Sequence, residues 1–461
     1  MDCRRLLNEC PTIIGMMTAI IQSGGSIDTA IREVANDGPK NSRMLFEEVV
    51  RGTDSKRYHS LVSGLYDKLN TLPKEAAGFA RSIPMVISAS ESSDPVVCER
   101  MLRDAAETAL DSVKEMGDTY GASLLVPCMA VFGIGIMVPM ILMSILPMLS
   151  IGGMFNSKTI DQNMIMVITL IIIPSSILVM TIFLRNSNPF LSSTISKIDV
   201  RYFAIILLSA PLSIIHLYMG GELRWAFLFS LAPVCILVTL MMINDIHQEN
   251  DRRKKEQSLM GSIFDIGNRM ISGSNFETAS VDAIGSNENC RRLSESLSHE
   301  YALCRGDIAS AIRNAISATS SEMSLALHNI YICSNKDSDD AGRLAMTLGR
   351  QFQNRNITLS NLENKLKSTK DMMVGTAMIF APLVLGMSVA MLEPLSKLGG
   401  NISLEGTSIV LGWYLIELSA LIALLVSSLG IGDNTNRMLW RFCTMCPVSL
   451  MVFAICGSIT L

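Results

Sequence analysis

Seven stretches of this chain are apolar for long enough to cross a bilayer, and they fall into two blocks, each preceded by a long polar interval. A spanning helix needs roughly 20 predominantly apolar residues. The first stretch has its apolar centre at 124–149, inside a charge-free run between Asp118 and Lys158, and 164–184, 202–219 and 225–243 follow. The second block holds 372–392, 409–429 and 442–461. This pattern predicts an all-α polytopic membrane protein with about seven transmembrane helices. Its expected parts are a cytoplasmic helical region at 1–123, four spans at 124–243, a second cytoplasmic helical region at 244–371 and three spans at 372–461.

Composition enters the argument as an exclusion. The AVILMFWYC set makes up 49% of the 461 residues and charged residues only 17%, against roughly 25% in ordinary soluble domains, so neither a disordered nor a wholly soluble chain fits. A net charge of −4 offers no electrostatic reason to expect nucleic acid as a partner.

Orientation follows from Lys and Arg in the short connections, which are retained on the cytoplasmic side. The connection after the second span carries Arg185, Lys197 and Arg201, and that after the sixth carries Arg437 and Arg441. Those after the first, third and fifth carry one each, Lys158, Arg224 and Lys397. The run Arg252, Arg253, Lys254, Lys255 beyond the fourth span adds to the same signal. All agree on a cell-membrane protein with its N-terminus inside, its C-terminus outside and both polar intervals cytoplasmic. Residues 13–21 are apolar behind Arg4 and Arg5 but too short to span, and no small-residue cleavage site follows, so they read as part of a soluble helix rather than a secretory signal.

The polar intervals show apolar residues at helical spacing. Leu6, Cys10, Ile13, Met17 and Ile20/Ile21 mark one helix. Val97, Met101, Ala105, Ala109, Val113 and Met116 mark a second, and Leu344, Leu348, Phe352, Leu359, Leu362, Leu366 and Met373 a third. The last two lead into the first and fifth spans and are expected to be nearly continuous with them, unless glycine breaks the earlier one at Gly117 or Gly121.

The intervals also begin alike. Residues 21–30 read IQSGGSIDTA and residues 270–279 read MISGSNFETA, matched at an offset of 249. Ser23-Gly24 pairs with Ser272-Gly273, Ile27 with Phe276, and Asp28 with Glu277. Each copy follows an amphipathic helix, the second marked by Leu259, Ile263, Ile266 and Met270. Glycine after the last apolar residue suits a helix C-cap, and an acidic residue soon after suits the next helix's first turn. The pattern reads as a helix–turn–helix corner made twice, heading two duplicated cytoplasmic bundles. Pro127 and Pro382, early in the corresponding spans, extend the correspondence at an offset of 255.

The twice-used corner ahead of two membrane blocks resembles the F-domain family of type II secretion and type IV pilus systems. The order of parts is most similar to the archaeal members that serve as membrane platforms for archaella and related pili. The resemblance implies a non-enzymatic platform for a filament, which is a pilus, an archaellum or a secretion pseudopilus. It implies as partners a hexameric cytoplasmic ATPase and pilin subunits drawn from the membrane, and it allows a homodimer. It assigns no cofactor and no residue-level site.

Other chemistry stands or falls on its residues. No GxxxxGK[ST] phosphate loop occurs, so an ATPase or kinase is not expected. Gly430-Ile431-Gly432-Asp433 matches the GxGD of intramembrane aspartyl peptidases, whose chemistry needs a second carboxylate beside the first. Glu417 is the one carboxylate within a span and stands about 24 Å away along the same helix. Asp371 and Asp245 at other span ends leave that reading open. Glu417 also admits a proton- or ion-coupled transporter, a contact with a partner, or a protonated glutamate bonded to a neighbouring helix, with Ser419 or Ser427 nearby on its own helix. The basic run 252–255 reads as an orientation signal or a partner contact. Eleven scattered cysteines, including Cys443 and Cys446 in a lone CxxC with no histidine near it, point to no metal site and to no disulfide framework. Arg305-Gly306-Asp307 spells an adhesion tripeptide without a partner on the cytoplasmic side.

Overall fold

The computed structural model describes residues 3–22, 24–142, 166–190, 223–304, 306–317, 319–397, 404–430 and 435–458. They are helices and short turns, with no strand among the described residues. Among the described residues six helices are long and apolar enough to cross a membrane, which makes this a multi-pass membrane protein. The third sequence-predicted span, 202–219, lies outside the described residues, and so does the end of the first. The helix that holds the last apolar stretch begins before it, at Thr435, because a turn formed by Asn436, Arg437 and Arg441 simply continues into that stretch.

The chain divides into two compact units, Met1–Thr119 with Gln248–Leu362, and Tyr120–His247 with Glu363–Leu461. The first unit unites the two polar intervals. The earlier interval forms helices Cys3–Gln22, Ile27–Asp37, Lys40–Asp54, Leu61–Asn70, Ala77–Glu91 and Pro95–Ser123. The later one uses the end of helix Leu223–Ile271, then Phe276–Gly285, Arg291–Leu303, Ile308–Ile316, Ser321–Ser334 and Ser338–Gly375. From the second helix to the sixth, starting residues differ by 249, 251, 247, 244 and 243 positions. Two of the N-caps recur as well. The Ser63 amide donates to Ser60 at 3.1 Å and the Ser310 amide to Asp307 at 3.2 Å. The Val96 amide donates to Asp94 at 2.9 Å and the Asp339 amide to Asp337 at 2.8 Å.

Each interval has its own apolar core. Leu6, Cys10, Ile13, Ile14 and Met17 turn one face of the first helix against Phe46, Leu65, Phe79 and Ile83. Each large side chain so buried is worth about 1.5–3 kcal/mol. Leu259, Ile263, Ile266 and Met270 play the same part in the second core, against Ile284, Leu297, Ile312 and Leu327. The two cores meet along a second, small-residue face of Cys3–Gln22. Ala19 belongs to the second core, and a Cβ on Gly15 would stand 3.1 Å from Gln351 Oε1. Arg355 donates to Thr12 Oγ1 at 3.0 Å while pairing with Glu322 at 2.7 Å.

One carboxylate organises the start of a neighbouring helix. Pro39 precedes helix Lys40–Asp54 and offers no side-chain cap. Glu9 takes that role instead, accepting from the Ser42 amide and hydroxyl at 2.8 and 2.6 Å and from the Asn41 side chain at 2.8 Å. Such a cap contributes on the order of 1 kcal/mol.

In the second unit, helix Leu404–Ser428 is the most enclosed, with Leu411, Tyr414, Leu418 and Leu425 each at 1% exposure or less. It packs against Ile173–Ser187, Ala381–Lys397 and Thr435–Gly457. Gly386 lets two of these helices approach to backbone distance, since a Cβ there would lie 3.0 Å from the Phe453 carbonyl. The outer faces keep large apolar side chains uncovered, among them Val179 and Phe183 at 66% and Leu240 at 63% exposure. Faces of that kind belong against lipid.

Candidate functional site

Three times the chain passes from one unit to the other, at 119/120, 247/248 and 362/363, and each passage falls inside a helix. Pro95–Ser123 runs through Gly117 and Gly121 without a break and gives way to Leu125–Phe132 only at Leu124. The cause is Pro127, whose missing N–H and bulky ring cannot complete the turn behind it. Ser338–Gly375 continues through Thr376–Phe380 into Ala381–Lys397. The third passage was not legible in the sequence. Helix Leu223–Ile271 has 49 residues, about 73 Å, and joins the apolar stretch 225–243 to the first amphipathic helix of the second core.

Two of these helices cross at backbone contact. A Cβ on Gly267 would stand 2.7 Å from the Gly342 carbonyl and 2.8 Å from the Met346 amide. One on Gly349 would stand 2.9 Å from the amide of Phe264. Glycine is the only residue that admits so close a crossing of Leu223–Ile271 and Ser338–Gly375.

The repeated corners share one local geometry. Gly24 has φ +78° and Gly273 has φ +91°, the left-handed region that favours glycine. In the first corner Gly24 N bonds to Ile21 O at 3.0 Å and Gly25 N to Ile20 O at 2.8 Å. In the second, Gly273 N bonds to Met270 O at 2.9 Å and Ser274 N to Arg269 O at 3.0 Å, the same four backbone positions displaced by 249. Asp28 and Glu277 lie exposed in the first turn of the following helix, and Ser272 is exposed. Ser23 lies outside the described residues. Ser26 caps its helix by accepting from the Thr29 amide at 3.2 Å, and its counterpart Asn275 makes no such bond.

The basic run sits on Leu223–Ile271, five to eight residues beyond His247, where the unit changes. Arg252, Lys254 and Lys255 are exposed, and Arg253 pairs with Glu249 at 3.5 Å. Cys290 Sγ contacts the Lys255 carbonyl at 3.5 Å, which seats the turn before Arg291–Leu303 against this stretch. Lys158, Lys197 and Arg201 lie outside the described residues. The adhesion-like tripeptide is a helix-initiating turn, with Gly306 at φ +101° and Asp307 as the N-cap. The Ser310 amide holds the Asp307 carboxyl below its ordinary range. Among the thiols of the first unit, burial pushes Cys10 up to about 12, as befits a packing residue.

Within the membrane unit, Glu417 is half-buried, and its Oε2 is buried with no hydrogen-bond partner among the described residues. The two serines on its own helix are engaged elsewhere, Ser419 with the Leu415 carbonyl at 2.7 Å and Ser427 with that of Leu424 at 2.9 Å. Ile431, Gly432 and Asp433 of the GxGD sequence lie outside the described residues. The helix end before it is tied down by a residue that the sequence did not single out. Asn188, 1% exposed, donates to the Ser428 carbonyl at 2.7 Å and to that of Gly430 at 3.4 Å, while accepting from the Phe190 amide at 2.9 Å.

Among the described residues three apolar helices of this unit widen into π-turns, at Gly133–Met137, Ile168–Ile172 and Thr376–Phe380. In each, a proline is the second residue after the turn: Pro139, Pro174 and Pro382. Proline lacks the N–H and crowds the carbonyl four residues back, and widening the turn relieves both defects. In local geometry the partner of Pro382 is therefore Pro139, not Pro127 as the sequence spacing suggests, and their offset of 243 equals that of helix starts Pro95 and Ser338. Among the described residues no group of histidine, cysteine, aspartate and glutamate is arranged to hold a metal ion. Comparison with family models, curated proteins and solved structures finds no match to this chain.

Proposed function

We propose that this chain is an integral membrane platform for assembly of a type IV pilus-like filament, coupling a cytoplasmic hexameric ATPase to the insertion of pilin subunits. The observation that carries the reading is helix continuity, since all three passages of the chain between its polar and apolar units lie within helices. An enzyme or a simple transporter has no evident use for two six-helix polar regions joined in this way to membrane spans. The reading treats those regions as a tandem duplication, supported by the shared corner geometry, the recurring N-caps and the proline-bearing π-turns at a common offset. It places both on the cytoplasmic side and counts 202–219 as the seventh span.

Two measurements test this. Reporters fused after residues 123, 195 and 310 are expected to be cytoplasmic and those after 157 and 461 external; an external reporter at 310 contradicts the topology. The affinity-tagged chain, isolated from its own host, is expected to bring down a secretion-class hexameric ATPase and pilin-type subunits.

A second reading, ion-coupled transport, has one observation in its favour, the unpartnered Oε2 of Glu417 inside a membrane helix. Glu417→Gln removes the titratable group with little change in shape. Under the platform reading filaments still assemble in that variant, whereas abolition of a pH-driven solute flux in proteoliposomes by the same substitution favours transport.

A further inference from the structure

We infer that the loop 55–60 of the first unit is a preorganised cationic tip that docks a carboxylate-bearing segment of a partner protein, with Lys56 and Arg57 as its contacts. Among the described residues four take the left-handed backbone conformation, and three of them are Gly24, Gly273 and Gly306. The fourth is Lys56, at φ +59°. Its loop joins helices Lys40–Asp54 and Leu61–Asn70, and Gly306 lies between their counterparts Arg291–Leu303 and Ile308–Ile316 in the later interval. A corresponding turn is thus made once with the residue that suits it and once with a lysine, whose Cβ disfavours that conformation. A strained residue persists where its surroundings over-determine it, and such residues gather at binding sites.

One ring fixes this loop. A Cβ on Gly52 would stand 2.5 Å from Tyr58 Cε2, and one on Gly64 would stand 2.7 Å from Tyr58 Cδ2, so the ring lies against the backbones of both helices. Glycine weakens a helix relative to alanine, and each of the two helices carries that weakness at the point where it admits the ring. The Arg57 and Tyr58 amides donate to the Gly52 carbonyl at 2.8 and 3.3 Å, and the Lys56 amide donates to that of Thr53 at 2.9 Å. The Arg57 guanidinium lies over the Tyr58 ring, 5.7 Å from its centroid. An arginine stacked in this way keeps its N–H fork oriented for bidentate capture of a carboxylate.

The carboxylates of the same two helices do not compete for these cations. Glu47 pairs with Arg51 at 2.7 Å, Glu48 with Lys68 at 2.5 Å and Asp54 with Arg32 at 3.6 Å. Lys56 and Arg57 are exposed and have no ion-pair partner among the described residues. A protein segment fits them better than a nucleic acid, because the chain as a whole carries a net charge of −4 and would repel a long polyanion. The tip does not rest on the function proposed above.

Titration of the full-length protein in detergent with a fluorescent oligo-glutamate peptide, at low ionic strength, tests the tip. The parent chain is expected to bind. Lys56→Gly is expected to weaken binding about tenfold or more while unfolding at no lower temperature, since glycine suits the backbone there. Gly64→Ala changes no charge but displaces the Tyr58 ring, and it is expected to weaken binding too. Lys40→Gln, at an exposed lysine that begins the helix before the loop, is expected to leave affinity unchanged. If Gly64→Ala unfolds the unit, Arg57→Gln takes its place and must show the loss. No binding by the parent chain, unchanged affinity in Lys56→Gly or in folded Gly64→Ala, or an equal loss in Lys40→Gln overturns the tip and leaves the platform reading untouched.

Discussion

Gly267→Val is expected to destabilise the first unit by about 3 kcal/mol or more, at the overpacked extreme of core substitutions. The Cβ alone would meet backbone, the Gly342 carbonyl at 2.7 Å and the Met346 amide at 2.8 Å, so no side chain can swing aside to make room. The reverse position is equally closed, since a Cβ on Gly342 would stand 2.7 Å from Ile271 Cγ1 and 3.1 Å from the Ile271 amide. Relief requires Leu223–Ile271 and Ser338–Gly375 to move apart, which opens the core around Ile263, Ile266 and Leu344. Gly261 supplies the control. It lies on the same helix, and a Cβ there would meet nothing within 4 Å, so Gly261→Ala should stabilise by up to about 1 kcal/mol through helix propensity. Protease susceptibility of the region 248–362 in detergent reads both effects. Equal resistance of Gly267→Val and the parent protein would show that the two helices cross more loosely than these distances require.

That crossing illustrates what the sequence concealed. Gly267, Gly342 and Gly349 interrupt otherwise helical patterns, and on pattern alone such glycines read only as weak points in a helix. Their use depends on a partner helix some 75 residues away, which local spacing does not reveal. The corner glycines were legible for the opposite reason. Gly24 and Gly273 serve a local need, positive φ at a helix end, and they carry a local signature of apolar residue, glycine and acidic first turn. Apolar stretches were legible because lipid imposes a composition. The same contrast hid how far one helix runs, since hydropathy falls at residue 244 whereas the polar residues that follow, rich in Gln, Glu, Lys and Arg, are good helix formers and the helix goes on to Ile271. Proline spacing misled in a similar way. Pro127 sits near the start of Leu125–Phe132, where a missing N–H costs little, while Pro139 sits within a span and forces a π-turn. Asn188 and Tyr414 act on carbonyls 240 and 279 residues distant, beyond the reach of any sequence pattern.

The second large effect concerns the helices that pass between the units. If the work of a docked ATPase reaches the membrane through them, slack in one helix should uncouple assembly while sparing the parts. An interior proline is too blunt for this purpose, because it costs about 3 kcal/mol and also disturbs the leucines packed nearby. A four-residue Gly-Ser insertion is milder. Placed after Gln248 it interrupts Leu223–Ile271 where the chain changes unit, and placed after Thr369 it interrupts Ser338–Gly375. Neither site removes a core residue of Leu259–Met270 or of Leu344–Leu348. Both variants should insert in the membrane and bring down as much ATPase as the parent chain. The direct measurement is filament number and length on cells whose only copy of the protein carries the insertion after Gln248. Force transmission through the helix requires that such cells have no filaments although the ATPase still co-purifies, and filaments of normal number and length would contradict it.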